Sequence, residues 1–425
     1  MNRVYDLAIV GGGAAGLMAA AWISEKYKDS ETHPSVVLLE KMPRCGRKIN
    51  ITGKGRCNLT NTRMWDEFSP HVHPNCQFFK NAFYNFSSHD TMDFFKSIGL
   101  ELSVERGQRV YPKSMKAMDV TDSLVNHIRR CAVVETLTGF EVKEISRDEF
   151  FCIKSEQGTV LSKKLLLTTG GLSYPSTGSS GDGYAFAKAL GHSIVHCRPS
   201  LTALIPSGYR EKDGTLLPLG KSLQGLQLKN VSLSLEVNSN VVQEEFGDVD
   251  FTDGGIEGSL GFRLSRKAVE ALDNGQKAAL LLDLKPALSE DQISQRIRRE
   301  ASSGNNTVKY LLSKLLPRQL AGPFLAMNRQ LLSMHNAEAA RLLPALLKSL
   351  RFEIVSYVGF ERCVVTNGGV SLKEVSQKTM ESKLVPGLFF AGEVLDLDGD
   401  TGGYNLQIAF STATLAVRGI MSEAQ

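Results

Sequence analysis

The spacing of apolar residues changes character several times along the 425-residue chain, and the changes mark out its elements. "VYDLAIV" (4–10) is a short, almost unbroken apolar run, the pattern of a strand buried on both faces. Glycines follow, then "AAGLMAAAWISEKY" (14–27), long and apolar enough for a buried helix, then a second buried strand, "SVVLLE", ending at Glu40. "GFEVKEISRDEFFCIKS" (139–155) alternates as a hairpin does, and "KLLLTTGG" (164–171) is another buried strand running into glycines. A helix is expected from Asp182, as its N-cap, to a stop at Gly191. From Cys197 strict alternation takes over: "LTALIP", "LQLKNVSLSLEVN" and "KAALLLDL" read as antiparallel strands. "LSEDQISQRIRREA" opens on a capping box, Ser289 with Gln292, and Leu-rich faces at spacings of three and four continue as helices to Arg351. "ERCVVTNGGV" and "GLFFAGE" then return to short buried strands, and a last helix begins near Tyr404.

These patterns predict an α/β fold in which one Rossmann-like domain is built from two segments, 1–196 and 352–425. The insert between them, 197–351, is a β-subdomain (about 197–285) followed by a helical part (about 286–351).

Candidate chemistry begins at the first turn. Gly11, Gly13 and Gly16 fit G-x-G-x-x-G between a strand and a helix. Gly11 permits the tight turn, Gly13 lets a pyrophosphate approach the backbone, and Gly16 lets the helix pack on its strand. Ala14 and Ala15 open the helix, where free N–H groups and the positive dipole end attract phosphate. Glu40 ends the next strand, followed by Lys41, and its carboxylate suits the hydroxyls of an adenosine ribose. Its interval from Gly16 is longer than the usual ~20 residues, an excess the polar "KDSETHPS" accounts for. Val142 is expected to bring backbone groups to an adenine, and Thr169, Gly170 and Gly171 to line the same ligand.

The far end of the chain offers a second half-site, which favours FAD over NAD as the dinucleotide. Gly392 and Glu393 end a buried strand, and Glu393 is expected to accept a cofactor hydroxyl. The helix start at "GGYNLQ", with Gly403, Asn405, Leu406 and Gln407, would stabilise negative charge at a flavin edge. Between the two ends, "GRKINITGKGRCNLTN" (46–61) is polar, glycine-rich and without core periodicity, so it reads as a loop running along the cofactor. Arg47 and Lys48 would neutralise phosphate, Gly53 and Gly55 would let the backbone lie close to the ribitol or the ring, and Arg56, Cys57 and Asn58 would sit near the ring face. The catalytic candidates are Tyr174, Cys57 and Asn58. A redox pair of Cys45 with Cys57 is weighed against two small buried thiols, and the thiols are the simpler reading.

Composition narrows the partners. A net charge of +4 without long basic runs argues against nucleic acid, so a small-molecule substrate is expected. No apolar stretch is long enough to span a membrane. Seven scattered cysteines without C-x-x-C spacing suggest reduced thiols and a cytoplasmic setting, with no metal site. His71 and His73, the nearest histidine pair, are expected in a surface loop.

"IVGGGAAG", "GRKINITGKGRCNLTN", "LLTTGGLSYPSTGSSGDGYAFAKALGH", "VTNGGV" and "TMESKLVPGLFFAGEVLDLDGDTGGYNLQIAF" together resemble the BaiN-type, aminoacetone-oxidase-like family of bacterial NAD(P)/FAD-dependent oxidoreductases, in the same order over nearly the whole chain. More distantly, "TTGG" and "SGDGYAFAKALG" resemble the flavin domain of fumarate reductases and L-aspartate oxidases. The resemblance implies an FAD-binding domain of glutathione-reductase type interrupted by an insert. Where relatives have Gly-Ile-Ser-Gly-Pro this chain has "GGIEGSL", so Glu257 marks a departure. No second G-x-G-x-x-G serves a dedicated NAD(P)H domain, so a nicotinamide would dock transiently. Open alternatives are an O₂-using small-amine oxidase, a flavin-bound sensor and, against the absence of a basic groove, a tRNA-modifying flavoenzyme.

Overall fold

The computed structural model describes residues 3–302, 307–334 and 336–422. The chain forms two compact units, Met1–Arg198 with Val364–Gln425, and Pro199–Cys363.

In the first unit the strand Val4–Val10 lies between two parallel neighbours, Val36–Glu40 and Gly158–Leu167, with Leu7 opposite Val36 and Ile9 opposite Leu166. Val134–Thr138 extends the sheet beyond Val36–Glu40, and Leu388–Phe390 pairs in parallel with the end of Gly158–Leu167. Strands from both ends of the chain are therefore hydrogen-bonded into one sheet. The hairpin Val142–Arg147 with Phe151–Ser155 joins antiparallel. Leu7, Ala8, Ile9, Val37, Leu38, Leu166 and Phe389 are fully buried, as near-continuous apolar runs require in a sheet covered on both faces. The covering includes the helix Ala14–Tyr27 and the C-terminal helix Tyr404–Ser422. Among the described residues no helix is long and apolar enough to cross a membrane.

The second unit contains a closed barrel in the order Leu204–Pro206, Ile256–Glu257, Asn240–Phe251, Gln227–Val237, Ala278–Asp283, Leu350–Tyr357. The helices of 290–348 fall between its last two strands, and Ser289 and Gln292 form the expected capping box. The second segment of the first unit begins at Val364 rather than at 352. Leu350, Phe352 and Ile354 alternate inward, buried, and pair with Ala278–Leu282, so this strand completes the barrel. At the other boundary, Cys197 lies in the strand Ile194–Ser200, which pairs with Val365–Val370.

Gly16 shows how closely the first helix sits on its strand: a Cβ there would lie 1.9 Å from the Gly11 carbonyl oxygen and 2.8 Å from Thr168 Oγ1. Gly16→Ala is expected to cost about 1–3 kcal/mol of stability through overpacking, read as a lower denaturant midpoint.

Candidate functional site

The turn after the first strand is fixed by backbone groups. Gly11 has φ +107° and donates its N–H to the Leu39 carbonyl at 2.8 Å. A Cβ at this position would lie 2.5 Å from the Thr168 carbonyl oxygen, so only glycine fits. Thr168 donates its hydroxyl to the Val10 and Gly11 carbonyls at 3.0 and 2.8 Å. Gly12 N–H donates to Glu40 Oε2 at 2.7 Å, and Met42 N–H to Glu40 Oε1 at 2.7 Å. Burial pushes the Glu40 carboxyl above its ordinary pKa, with those two N–H groups opposing. Each carboxylate oxygen retains a lone pair for a further donor. Gly13 is the N-cap of Ala14–Tyr27, where no side chain caps the helix and no acidic residue stands in the first turn. The helix start thus keeps its positive end exposed.

This turn opens on a cleft with about 1270 Å³ of empty space, built wholly from the first unit. Gly11, Gly13, Ala14 and Ala15 line it at the first turn, with Glu40 and Lys41 beside them. Arg47, Lys48, Val142, Thr169 and Gly170 line the middle strands and loops, and Gly392, Glu393, Asn405 and Leu406 come from the C-terminal segment. Sequence reasoning missed Gly12, Arg44, Phe140, Ser179 and Phe186, which also line it. The signal for Gly12 was present, since its N–H faces the acid that the glycine motif pairs with. The Thr169 hydroxyl is buried without a hydrogen-bond partner among the described residues.

The other residues expected at the site do not line the cleft. Gly16 packs the helix, as above. Gly171 sits against Thr366, with 2.4 Å between an added Cβ and Thr366 Oγ1. Gly403 has φ +88° and presses on the Thr60 backbone. Gln407 is fully buried: its Nε2 donates to the Phe86 carbonyl at 3.1 Å and to Ser411 Oγ at 2.9 Å, and its Oε1 accepts from the Thr60 hydroxyl at 2.6 Å. These are packing and tethering roles.

The segment 46–61 is partly helical rather than a loop. Arg47–Ile51 is a short helix that buries Ile49, and Thr52–Gly55 is a single further turn. Gly53 and Gly55 have φ +57° and +84°, and Arg56 lies over the Tyr111 ring at 5.3 Å. Their glycines serve this turn. Cys57 is fully buried, and burial pushes its thiol up to about 12. Cys45 is also pushed up to about 12, by burial and then by the Glu40 charge. Both are neutral thiols near neutral pH, which removes the thiolate that redox chemistry needs. The Asn58 amide, oriented so that both ends are satisfied, donates to the Thr60 and Val110 carbonyls at 2.9 and 3.2 Å and accepts the Gly403 N–H at 3.1 Å. Tyr174 has φ +53° and precedes the Pro175–Thr177 turn, its carbonyl accepting the Thr177 N–H and hydroxyl at 2.9 and 2.7 Å.

The two lysines expected at the cofactor, Lys48 at its phosphate and Lys41 beside Glu40, are each committed to a carboxylate. Lys48 pairs with Glu393 at 2.7 Å and also donates to Ser173. Glu393 in turn accepts from the Ser173 hydroxyl at 2.7 Å and the Thr366 N–H at 2.8 Å. Burial alone would raise the Glu393 carboxyl, but Lys48 and these donors outweigh it and hold the group below its ordinary pKa. Lys41 pairs with Asp182 at 2.5 Å. Asp182 is the first helical residue and Gly181, at φ +83°, is the N-cap, so Asp182 acts through Lys41 and not as a cap. Arg44 lines the cleft with no acidic partner among the described residues. In the second unit Glu257 accepts the Thr252 hydroxyl at 2.8 Å, and burial pushes its carboxyl upward.

His71 and His73 are not loose surface residues. Both clamp Asp400, through His71 Nδ1 at 2.7 Å and His73 Nε2 at 3.2 Å. Arg63 Nη1 lies 3.0 Å from His71 Nε2. Because a guanidinium only donates, Nε2 must accept, which places the His71 proton on Nδ1 facing Asp400. Burial would raise the Asp400 carboxyl, but the two imidazoles hold it well below the usual range. Asn405, which lines the cleft, donates to the Gly399 carbonyl at 2.7 Å and accepts its N–H at 2.8 Å, so the clamped loop carries the start of the C-terminal helix.

A carboxyl whose folded pKa is depressed contributes stability above its unfolded value of about 3.9, and that contribution is lost as pH falls through the folded value. Asp400→Asn is therefore expected to lower the melting temperature near neutral pH. Thermal scans should show the gap to wild type closing as pH drops below about 4.

The chain matches the family model "HI0933-like protein Rossmann domain" over residues 5–419. It is 30% identical over 427 residues to a 3-dehydro-bile acid delta(4,6)-reductase from Clostridium scindens, covering 98% of each chain. It is also 30% identical over 417 residues to a ribosomal RNA dihydrouridine synthase from Escherichia coli, covering 96% of each chain. A third relative, the ribosomal RNA dihydrouridine synthase of Haemophilus influenzae, is 28% identical over 426 residues, with 97% of this chain and 98% of that one covered. With the glycine turn, its acid and the C-terminal helix start gathered on one cleft, the protein belongs to the HI0933-like Rossmann family of FAD-dependent oxidoreductases.

Proposed function

We propose that the cleft binds FAD and that the protein reduces a carbon–carbon double bond conjugated to a carbonyl, taking its electrons from NAD(P)H. The observation that carries the reading is the meeting of two helix starts, Ala14 of Ala14–Tyr27 and the first turn of Tyr404–Ser422 with Asn405, on one cleft with Glu40 between a glycine turn and a basic segment. The names of the similar proteins support the reaction class, since a delta(4,6)-reductase and a dihydrouridine synthase each add two hydrogens across a carbon–carbon double bond. The RNA in two of those names means that the even spread of charge does not by itself exclude an RNA substrate.

The residues present fit the cofactor. A Cβ at Gly13 would meet no protein atom within 4 Å, so the space beside it is left for something other than protein. The uncapped start of Ala14–Tyr27 suits a pyrophosphate, with Arg44 and Arg47 as the nearby cations. Glu40 would accept ribose hydroxyls on its remaining lone pairs. When bound, FAD supplies hydride transfer. The Lys48–Glu393 pair holds the cleft wall closed around Ser173 and Thr366, and Asn405 and Leu406 hold the C-terminal helix start toward the ligand.

Three outcomes are expected. Gly13→Ala should leave the thermal stability of the FAD-free protein unchanged and weaken FAD about tenfold or more, read by titration of flavin fluorescence. Because the Glu40 carboxyl is raised and ribose hydroxyls favour its ionised form, FAD affinity should fall as pH is lowered through that raised value. Mixed anaerobically with NADH or NADPH, the yellow protein should bleach, and a conjugated ketone or a uridine-containing RNA should restore its colour. Bleaching by neither donor contradicts the reading, and bleaching by a small amine with recovery in O₂ would replace it with an oxidase.

A further inference from the structure

The C-terminal helix reaches the cofactor cleft through a loop that is tied to the 58–73 region. Asp398 and Gly399 pair antiparallel with His73 and Val72, and the Asp400 N–H donates to the His71 carbonyl at 3.0 Å. Asn61 Nδ2 donates to the Gly402 carbonyl at 3.1 Å, and the Gly403 N–H is taken by the Asn58 side chain at 3.1 Å. Beyond these ties the helix start is open. The N–H groups of Asn405 and Leu406, which line the cleft, make no hydrogen bond among the described residues. No acidic residue stands in the first turn, so they carry the positive end of a 19-residue helix.

An acid just before a helix start ordinarily turns onto its free N–H groups. Asp400 does not. Both of its oxygens are spent on imidazoles, His71 Nδ1 at 2.7 Å and His73 Nε2 at 3.2 Å, and Arg63 holds His71 from behind at 3.0 Å. The His71 ring also packs on Tyr404, the first residue of the helix, with 4.6 Å between ring centroids. Asp400 does not line the cleft, so any effect on a ligand there runs through the helix start. We infer that Asp400 is a positioning residue for the flavin. The two imidazoles hold its carboxylate away from the helix start, the Asn405 and Leu406 N–H groups stay available to the ligand, and the clamp thereby sets how readily the bound flavin is reduced. This rests on the reading that the cleft binds FAD.

The test is the midpoint potential of the flavin in the FAD-loaded full chain, read by absorbance against a reference dye. Wild type is compared with Asp400→Ala, Asp400→Asn and His73→Ala. Asp400→Ala releases the helix start and should shift the balance toward oxidised flavin about tenfold, which is about 30 mV for a two-electron couple. Asp400→Asn keeps an acceptor for His71 and can donate to the other tautomer of His73, so it should restore most of the wild-type potential. His73→Ala frees half of the clamp and should shift the potential in the same direction as Asp400→Ala. If Asp400 acted only through its charge, both Asp400 variants would favour reduced flavin equally and His73→Ala would change nothing. That pattern, or a potential unmoved in all three variants, overturns the inference while leaving the FAD reading intact. Should Asp400→Ala not fold, His73→Ala against wild type decides between the same outcomes. Wild type that binds no FAD would overturn the FAD reading and this inference with it.

Discussion

The hydrogen bond from the Gly12 N–H to the Glu40 carboxylate, 2.7 Å long and buried, is the constraint on which the rest of the first unit depends. It ties the glycine turn after one strand to the end of the next, and the Met42 N–H on the other carboxylate oxygen turns the chain away into the 43–50 segment. A buried carboxylate is tolerable only where donors satisfy it. Here two donors do so, and enough hydrogen-bonding capacity remains for a ligand. Thr168 closes the same turn from the neighbouring strand, so three parallel strands agree on one geometry.

A second constraint comes from the C-terminus. Leu388–Phe390 adds to the sheet beside Gly158–Leu167, which delivers Gly392, Glu393 and the start of Tyr404–Ser422 to the same cleft. Two charged assemblies hold that wall. Lys48 with Glu393 is a half-enclosed pair whose remaining oxygen positions are filled by Ser173 and Thr366. Arg63, His71, Asp400 and His73 form a chain of hydrogen bonds that fixes the loop before the C-terminal helix. Neither lysine of the cleft is left as an isolated cation, so the burden of attracting phosphate falls on the helix start and on Arg44 and Arg47.

Much of this was legible in the sequence, and the reasons are physical. Buried parallel strands are near-continuous apolar runs, and the glycine turn between strand and helix has few alternatives, so Val4–Val10, Ala14–Tyr27, Glu40 and the role of Gly16 could be read directly. The capping box at Ser289 was equally plain, because both of its partners are local. What local pattern does not carry is the identity of long-range partners. Lys48 reads as a phosphate ligand until Glu393, far along the chain, appears beside it. His71 and His73 read as surface residues until Asp400 is folded against them. Gly53 and Gly55 read as cofactor contacts because the sequence shows that they are glycines, not that a tight turn requires them. The late barrel strand Leu350–Tyr357 was hidden by the helices that precede it.

The central claim is that both ends of the chain grip one FAD, and amide hydrogen exchange on the FAD-free protein before and after adding FAD tests it most directly. The account predicts new protection at residues 12–16 and, in parallel, at 403–408. Protection confined to one of these segments, or absent from both while FAD is bound, would contradict it.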